Sequence, residues 1–209
     1  MATRFPPQAS TMRKDPRQAR SRATIDAILD AAAHILGERG WTGLTTNAAA
    51  EVAGVSIGSL YQYFPNKVSL VEAVRRRHFD EVLAVLRAAT DDKVTRAHRI
   101  EALVDGMIAV HSRYPAAHRV LLEESPRAED ARVTHDRFDV ECRAAYEALV
   151  KANSRSATDV SVAAQVFAGA IAGAVHEAAR RGTLESPILR EEIVTLVKSY
   201  FSKRRTSGS

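Results

Sequence analysis

The chain has a single cysteine, Cys142, in 209 residues, and few of the residues that interrupt helices, with 10 glycines and 7 prolines. One cysteine cannot form an internal disulfide, which favours a reducing compartment. The N-terminal residues lack the apolar segment of a secretory signal, and the longest apolar run, residues 166–175, is too short to span a bilayer. These absences argue against a disulfide-stapled secreted domain, and they predict a cytoplasmic protein without a membrane-spanning segment.

The sequence also lacks the motifs of several enzyme classes. It contains no Gly-rich phosphate loop, no Cys-x-x-Cys pair and no His-Glu-x-x-His, the patterns that hold nucleotides, redox centres or zinc. Four histidines are scattered without metal-ligand spacing, so a metal site would have to be assembled from distant helices. They are His111, His118, His135 and His176. We therefore predict no catalytic residue, no cofactor and no metal.

What the sequence does contain is a stretch, residues 45–67, that reads as two short helices joined by a tight turn. Thr46 is suited to cap the first helix, and Gly54 lies where that helix must stop, because glycine adopts the left-handed conformation without steric cost. Ser56 is suited to cap the second helix. Ala50, a small residue four positions before the glycine, allows the two helices to cross closely. The pattern predicts a helix-turn-helix, whose second helix enters the major groove of DNA; an ordinary helical hairpin is the alternative.

The same stretch resembles a known family. Residues 53–67 read A-G-V-S-I-G-S-L-Y-Q-Y-F-P-N-K, which is similar to the pattern A-G-V-S-x-G-S-L-Y-x-Y-F-x-N-K of the tetracycline-repressor (TetR) family of bacterial regulators. Gly40, Thr45 and Thr46 lie at the usual distance upstream. The resemblance is specific over residues 20–70, and it extends to the remainder only through length and helical character.

The resemblance implies which residues contact DNA. The family's phosphate-contacting positions correspond to Thr46, Ser56, Gly58, Tyr61, Tyr63 and Lys67. Its base-facing positions correspond to Ile57, Ser59 and Gln62. Hydroxyls, amides and a lysine are the groups that bind phosphates and base edges, so the residue chemistry agrees with the resemblance. Tyr63 also falls on the predicted inner face of the helix pair, as do Ala49, Ala53, Val55 and Leu60.

We predict an all-α fold of about nine helices in two domains. Residues 1–16 are predicted to be a disordered basic arm, residues 17–66 a three-helix DNA-binding domain, and residues 67–209 a helical regulatory and dimerisation domain. The first 22 residues carry six basic side chains against one acidic, which accounts for the whole net charge of +5. A basic arm beside a helix-turn-helix suits a phosphate or minor-groove contact, and a solvated tail is the alternative.

Two smaller features of the first 80 residues lead to predictions. Trp41, just beyond the first long helix, is predicted to complete the small core of the DNA-binding domain. The basic run Arg75, Arg76, Arg77 and His78 is predicted to form a solvated helix face rather than a second DNA contact.

The C-terminal part is predicted to bind a ligand and to dimerise. Gly169 and Gly173, four residues apart in an alanine-rich helix, allow close approach of another helix, and the last helix is apolar over more than one face. Two such helices favour a four-helix interface with the same pair of a second subunit, in the region of Gly169, Gly173, Val197 and Phe201. Inward-pointing candidates for a pocket are Met107, His111, Phe138, Cys142 and Phe167, although a packed core is equally compatible with them.

The function that the resemblance implies is that of a ligand-responsive, homodimeric transcriptional repressor. It would bind a near-palindromic operator in double-stranded DNA and be released by a small, largely apolar effector. One alternative is a DNA-binding regulator that needs no ligand or activates transcription. The other is a helical enzyme or adaptor that does not bind DNA.

Overall fold

The computed structural model describes residues 19–90, 93, 95–121, 131–153 and 159–202. Every regular element in these ranges is a helix, which confirms the all-α prediction. The helices are α1 (Ala19–Gly43), α2 (Thr46–Val52), α3 (Ile57–Tyr63), α4 (Lys67–Ala88), α5 (Arg96–Ser112), α6 (Pro115–Arg119), α7 (Ala131–Asn153), α8 (Val160–Arg181) and α9 (Pro187–Phe201). The predicted basic arm, residues 1–16, lies outside the described residues.

The chain divides into two compact units. The first extends from the N-terminus to Arg77 and includes Ala116–His135; the second consists of His78–Pro115 and Asp136–Ser209. Helix α4 contributes to both, because the division falls between Arg77 and His78. The first unit therefore extends beyond the boundary predicted after residue 66.

The core of the first unit is built on the apolar stripe of α1. Six of its apolar residues recur at helical spacing, and all are buried. They are Ile25, Ile28, Leu29, Ala32, Ile35 and Leu36. The helical conformation is interrupted at Gly40, where φ is 66° and ψ is −172°. The last turn of α1 beyond this glycine carries Trp41.

The basic run on α4 differs from its prediction. Arg75 is buried, and its guanidinium pairs with the carboxylate of Glu72 while donating from Nε and Nη2 to the carbonyl oxygen of Leu121 at 3.2 and 2.8 Å. Arg77 Nη1 is 2.8 Å from Asp30 Oδ1 on α1. The prediction of a solvated face is therefore wrong for Arg75, because the carboxylate one turn earlier and a backbone carbonyl satisfy the charge inside the unit.

The second unit has a core shared by parts of α4, α5, α7, α8 and α9, with an aromatic cluster at its centre. The ring of Phe167 lies 5.8 Å from that of Tyr146 and 4.8 Å from that of Phe201. Val197 and Phe201 are buried in this core. The prediction that they take part in a dimer interface is therefore wrong for these two residues, because the chain itself already covers them.

Helices α8 and α9 have well-defined ends. Asp159 caps α8 by accepting hydrogen bonds from the backbone N–H groups of Ser161 and Val162, and Gly182 ends it in the left-handed conformation, with φ at 68°. Ser186 caps α9. These caps fix where the C-terminal pair of helices begins and ends.

One face of α8 remains exposed although it is apolar. Val162 and Val166 are exposed, and a side chain added at Gly169 or Gly173 would meet nothing within 4 Å. The helix is long and apolar enough to cross a membrane by length and composition alone, yet its opposite face, including Phe167, is buried in the core of the unit. A single helix of this kind is weak evidence of a membrane span, and an exposed apolar face also suits packing against another protein surface.

Candidate nucleic-acid interface

The turn between α2 and α3 has the geometry that its residues predict. Gly54 has φ at 67°, the left-handed region that glycine enters without strain. Ser56 caps α3, with its Oγ accepting from the backbone N–H of Ser59 at 3.1 Å. The cap of α2 is Thr45, whose Oγ1 accepts from Ala48 N at 3.1 Å. The prediction of Thr46 as the cap is therefore wrong by one residue.

Helix α3 presents one side to solvent. Ile57 and Tyr61 are 38% and 43% exposed, and Gly58 and Gln62 are exposed as well. These side chains offer an aliphatic group, a phenol and an amide, which suit contacts with thymine methyls, phosphates and base edges. The helix contains no acidic residue, and Glu51 is the sole acid between residues 45 and 67. Nothing in this stretch besides Glu51 repels a phosphate backbone.

Hydroxyl pairs stiffen the exposed surface. The Tyr61 hydroxyl lies 3.1 Å from Thr46 Oγ1, so it joins α3 to the first turn of α2. The hydroxyls of Ser56 and Ser59 lie 2.8 Å apart at the start of α3. Four of the predicted DNA-binding side chains are thus held in position before any ligand arrives, which lowers the entropy cost of binding.

The inner side of α3 anchors it to the unit. Leu60 is fully buried and Tyr63 is 8% exposed, with the Tyr63 ring 6.4 Å from that of Phe64. Ala49 and Ala50 of α2 are buried as well, as the predicted close crossing requires. Of the two roles predicted for Tyr63, the structure supports packing; its burial argues against the predicted phosphate contact.

Lys67 makes internal contacts. Its Nζ donates to the carbonyl oxygen of Trp41 and lies 4.0 Å from the centre of the indole ring. Partial burial lowers the pKa of this ammonium group. Lys67 therefore ties the start of α4 to the end of α1, and a phosphate contact would have to share or replace these interactions.

Residues 54–58 have the Gly-x-Ser-x-Gly spacing found in many hydrolases. In those enzymes the serine lies on a sharp turn between a strand and a helix. Here Ser56 follows a helix and serves as the cap of α3. Ser56 is therefore the cap of a helix in the helix-turn-helix, and it does not lie on the strand-to-helix turn that holds the serine nucleophile in those hydrolases.

The predicted pocket residues all belong to the second unit and lie in or against its core. Met107, His111 and Phe167 are buried, while Phe138 and Cys142 are half-buried. Phe138 stacks on Phe79 with ring centres 3.9 Å apart. Burial, with the nearby carboxylates of Asp139 and Glu141, raises the pKa of the Cys142 thiol to about 12. The thiol is protonated at neutral pH, as expected for an unreactive core cysteine.

The second unit also holds a group of histidines that no sequence motif predicts. The ring of His111 lies 5.0 Å from that of His78 and 5.3 Å from that of His176. The three residues come from α4, α5 and α8. No spacing within one helix links them, so only the packing of three helices reveals the group.

The comparison with known proteins decides the family. Residues 28–74 match the family described as bacterial regulatory proteins, tetR family, and residues 97–201 match the tetracyclin repressor-like C-terminal domain. The second match alone spans half of the chain. The chain belongs to the TetR family. The first match covers the helix-turn-helix of α2 and α3, and the second covers the helices from α5 to α9.

Individual TetR relatives resemble the chain in part. It is 37% identical over 98 residues to the transcriptional regulator RutR of Escherichia coli (strain K12), covering 47% of this chain and 46% of RutR. It is 34% identical over 77 residues to the transcriptional repressor KstR2 of Rhodococcus jostii (strain RHA1), which covers 37% of this chain and 38% of KstR2. The chain thus spans less than half the length of these curated relatives.

Solved structures of the TetR family share the fold of this chain. A TetR-family transcriptional regulator from Rhodococcus sp. superimposes with a TM-score of 0.67 over 87% of this chain and 100% of that one, at 23% identity. The agreement at this low identity concerns the fold alone.

Proposed function

We propose that the protein is a homodimeric transcriptional repressor that binds a near-palindromic operator through α3 and is released by a small-molecule effector. The observation that carries the proposal is the exposed side of α3, which offers Ile57, Tyr61 and Gln62 without an acidic neighbour in the helix. RutR and KstR2, whose names describe a regulator and a repressor, support the same class of function. A cytoplasmic location accords with binding DNA.

The operator contacts follow from the geometry of α3. Ile57, Ser59 and Gln62 lie on or beside the exposed side and are suited to base edges. Thr46, Ser56, Gly58 and Tyr61 are suited to phosphates, since their hydroxyls and backbone lie at the ends and edge of the helix pair. Lys67 reaches a phosphate only if its contacts with Trp41 rearrange. Two subunits related by a two-fold axis read two half-sites one helical turn or a multiple apart.

Truncation of Tyr61 tests the interface. Tyr61→Ala is expected to weaken binding to the operator by about 1–3 kcal/mol, because it removes a hydroxyl already fixed by Thr46. Binding is measured by fluorescence anisotropy with the region upstream of the protein's own gene, at two salt concentrations. Ile188→Ala, at an exposed apolar residue of α9, is the control and should bind normally. Equal affinities of the two variants would contradict the role of Tyr61.

The salt dependence separates this function from an adaptor or enzyme without DNA binding. Several phosphate contacts per subunit make the affinity fall steeply with salt. Specific binding with a steep slope supports the proposal. No binding at low salt would favour the alternative class.

The exposed face of α8 supports the dimer. Val162 and Val166 line it together with Gly169 and Gly173, and Leu196 and Tyr200 of the adjacent α9 are exposed too. A helix without side chains at two positions four residues apart allows a second helix to approach closely. We place the dimer interface on this face, with Gly169 and Gly173 inside it, and leave Val197 and Phe201 in the core of each subunit.

A charge on this face should separate the subunits. Val166→Glu is expected to shift the dimer–monomer equilibrium toward monomer by at least about tenfold, because two-fold symmetry places two carboxylates in one apolar interface. Val140→Glu is the matched control, since Val140 on α7 is 64% exposed and Val166 is 56% exposed. Sedimentation equilibrium measures both. If both variants dimerise like the original chain, the interface lies elsewhere.

The effector is proposed to bind in the second unit, near Met107, His111, Phe138, Cys142 and Phe167. The apolar and aromatic character of these residues favours a small, largely apolar molecule. Such a molecule releases the operator only to the extent that it prefers the conformation that binds DNA poorly. Calorimetry with candidate metabolites, with and without operator, distinguishes this from a regulator that needs no ligand.

A further inference from the structure

Three imidazole rings meet inside the second unit. His111 of α5 is 2% exposed and lies between His78 of α4 and His176 of α8, with ring centres 5.0 and 5.3 Å away. The three histidines come from three separate helices. They take no part in the DNA-binding surface, and the packing of an apolar core does not require them.

A backbone hydrogen bond sets the orientation of the central ring. His111 Nδ1 lies 2.7 Å from the carbonyl oxygen of Met107. Because a carbonyl can only accept, Nδ1 carries the proton, and in the neutral ring Nε2 then carries the lone pair. An Nδ1–H bond to a backbone carbonyl is the arrangement that orients metal-binding histidines in many sites.

The surroundings keep His78 and His111 neutral. Burial is the main cause that lowers the pKa of His78 to about 3 and that of His111 to about 4. The neighbouring histidines contribute to both shifts, and the hydrogen bond to the Met107 carbonyl opposes the shift of His111. At neutral pH these imidazoles are therefore unprotonated, which is the form that coordinates metal ions. A metal ion need not displace protons from them at that pH.

We propose that His78, His111 and His176 form a binding site for a divalent transition-metal cation such as Zn²⁺, Co²⁺ or Ni²⁺. Imidazole nitrogen is a preferred ligand of these ions, and three histidines leave one position of a tetrahedral site for water or another ligand. Zinc–nitrogen bonds are about 2.0–2.1 Å long, so the rings must turn toward one another to coordinate one ion. Hard cations such as Mg²⁺ and Ca²⁺ prefer oxygen ligands and bind poorly here.

Binding would link three helices at one point. Coordination would draw α4, α5 and α8 together, and α4 is a single helix that continues from the first unit into the second. A change in operator affinity on metal binding follows from this link, and that consequence alone rests on the proposed function. The metal site itself stands on the histidines and is tested without DNA.

Cobalt titration of the full chain tests the site. The protein is stripped of metal with a chelator, dialysed and titrated with Co²⁺. The visible absorption of Co²⁺ becomes stronger when nitrogen ligands surround the ion in a geometry without a centre of symmetry, such as a tetrahedron. We expect one Co²⁺ per subunit and displacement by Zn²⁺. His78→Gln and His176→Gln are each expected to weaken binding by more than about 100-fold, since the loss of a ligand exceeds the 10–100-fold effect of losing a supporting contact.

The control is a histidine of α5 outside the group. His98 is exposed, so His98→Gln should bind Co²⁺ like the original chain. Circular dichroism of each variant without metal confirms folding. Because His111 is buried and His111→Gln can unfold the unit, the conclusion depends on the two partly exposed histidines.

The outcomes are separable from those of the proposed function. Weak, superstoichiometric Co²⁺ uptake, or equal affinity in all folded variants, overturns the site. A folded chain that binds Co²⁺ through these histidines but fails to bind any operator keeps the site and overturns the repressor. Operator binding that is indifferent to saturating Co²⁺ removes only the regulatory link.

Discussion

Phe64→Ala is expected to lower the free energy of unfolding of the first unit by about 3–5 kcal/mol. Phe64 is fully buried and follows the last residue of α3, where its backbone N–H still bonds to the carbonyl of Leu60. Truncation removes apolar area and leaves a cavity that the short helices beside it cannot close. The chain's one tryptophan, Trp41, belongs to the same unit, so tryptophan fluorescence during urea unfolding reports this loss.

The matched control is an aromatic residue of α3 itself. Tyr61 lies three positions earlier and is exposed, so Tyr61→Ala should change stability by no more than about 1 kcal/mol. The two truncations are thus expected to separate stability from DNA binding. If Tyr61→Ala unfolds the unit as severely as Phe64→Ala, Tyr61 is a structural residue and its assignment to the operator is wrong.

Arg75→Met is the second substitution with a large expected effect, a loss of about 3–5 kcal/mol in stability of the first unit. The variant leaves the buried carboxylate of Glu72 without its cation and the carbonyl of Leu121 without two donors. Urea unfolding followed by Trp41 fluorescence measures the loss. Arg76→Met, at the exposed neighbour, should stay within about 0.5 kcal/mol of the original chain.

A double variant distinguishes lost packing from an unpaired charge. Glu72→Leu combined with Arg75→Met removes both charges, and we expect it to recover much of the stability lost by Arg75→Met alone. If the double variant recovers none of the stability lost by Arg75→Met, the unpaired carboxylate does not cause the loss, and the hydrogen bonds to Leu121, which both variants lack, dominate.

The sequence is most informative where a single residue type is required locally. Gly54 was predicted at the turn because few other residues tolerate its positive φ, and Ser56 was predicted as a cap because its side chain can replace a missing backbone partner. The apolar stripe of α1 is equally predictable from the sequence, since helical spacing alone defines it. The exact cap of α2 is not predictable from the sequence, because Thr45 and Thr46 are adjacent and both are suited to it.

Contacts between distant parts of the chain were not predictable in the same way. The bond from Lys67 to Trp41 joins residues 26 positions apart, and the histidine group joins three helices. The burial of Arg75 is not predictable from the basic run, because such a run is usually solvated. The one local signal was Glu72, an acid one helical turn earlier, which can pair with Arg75.

The central claim is that α3 reads bases, and binding-site selection with Gln62→Ala tests it most directly. Random DNA duplexes are selected with the original chain and with the variant, and the enriched sequences are compared. The account predicts that base preference relaxes at one position in each half-site, related by the two-fold axis, while the remaining positions keep theirs. An unchanged preference at every position, or no enriched sequence for the original chain, would contradict it.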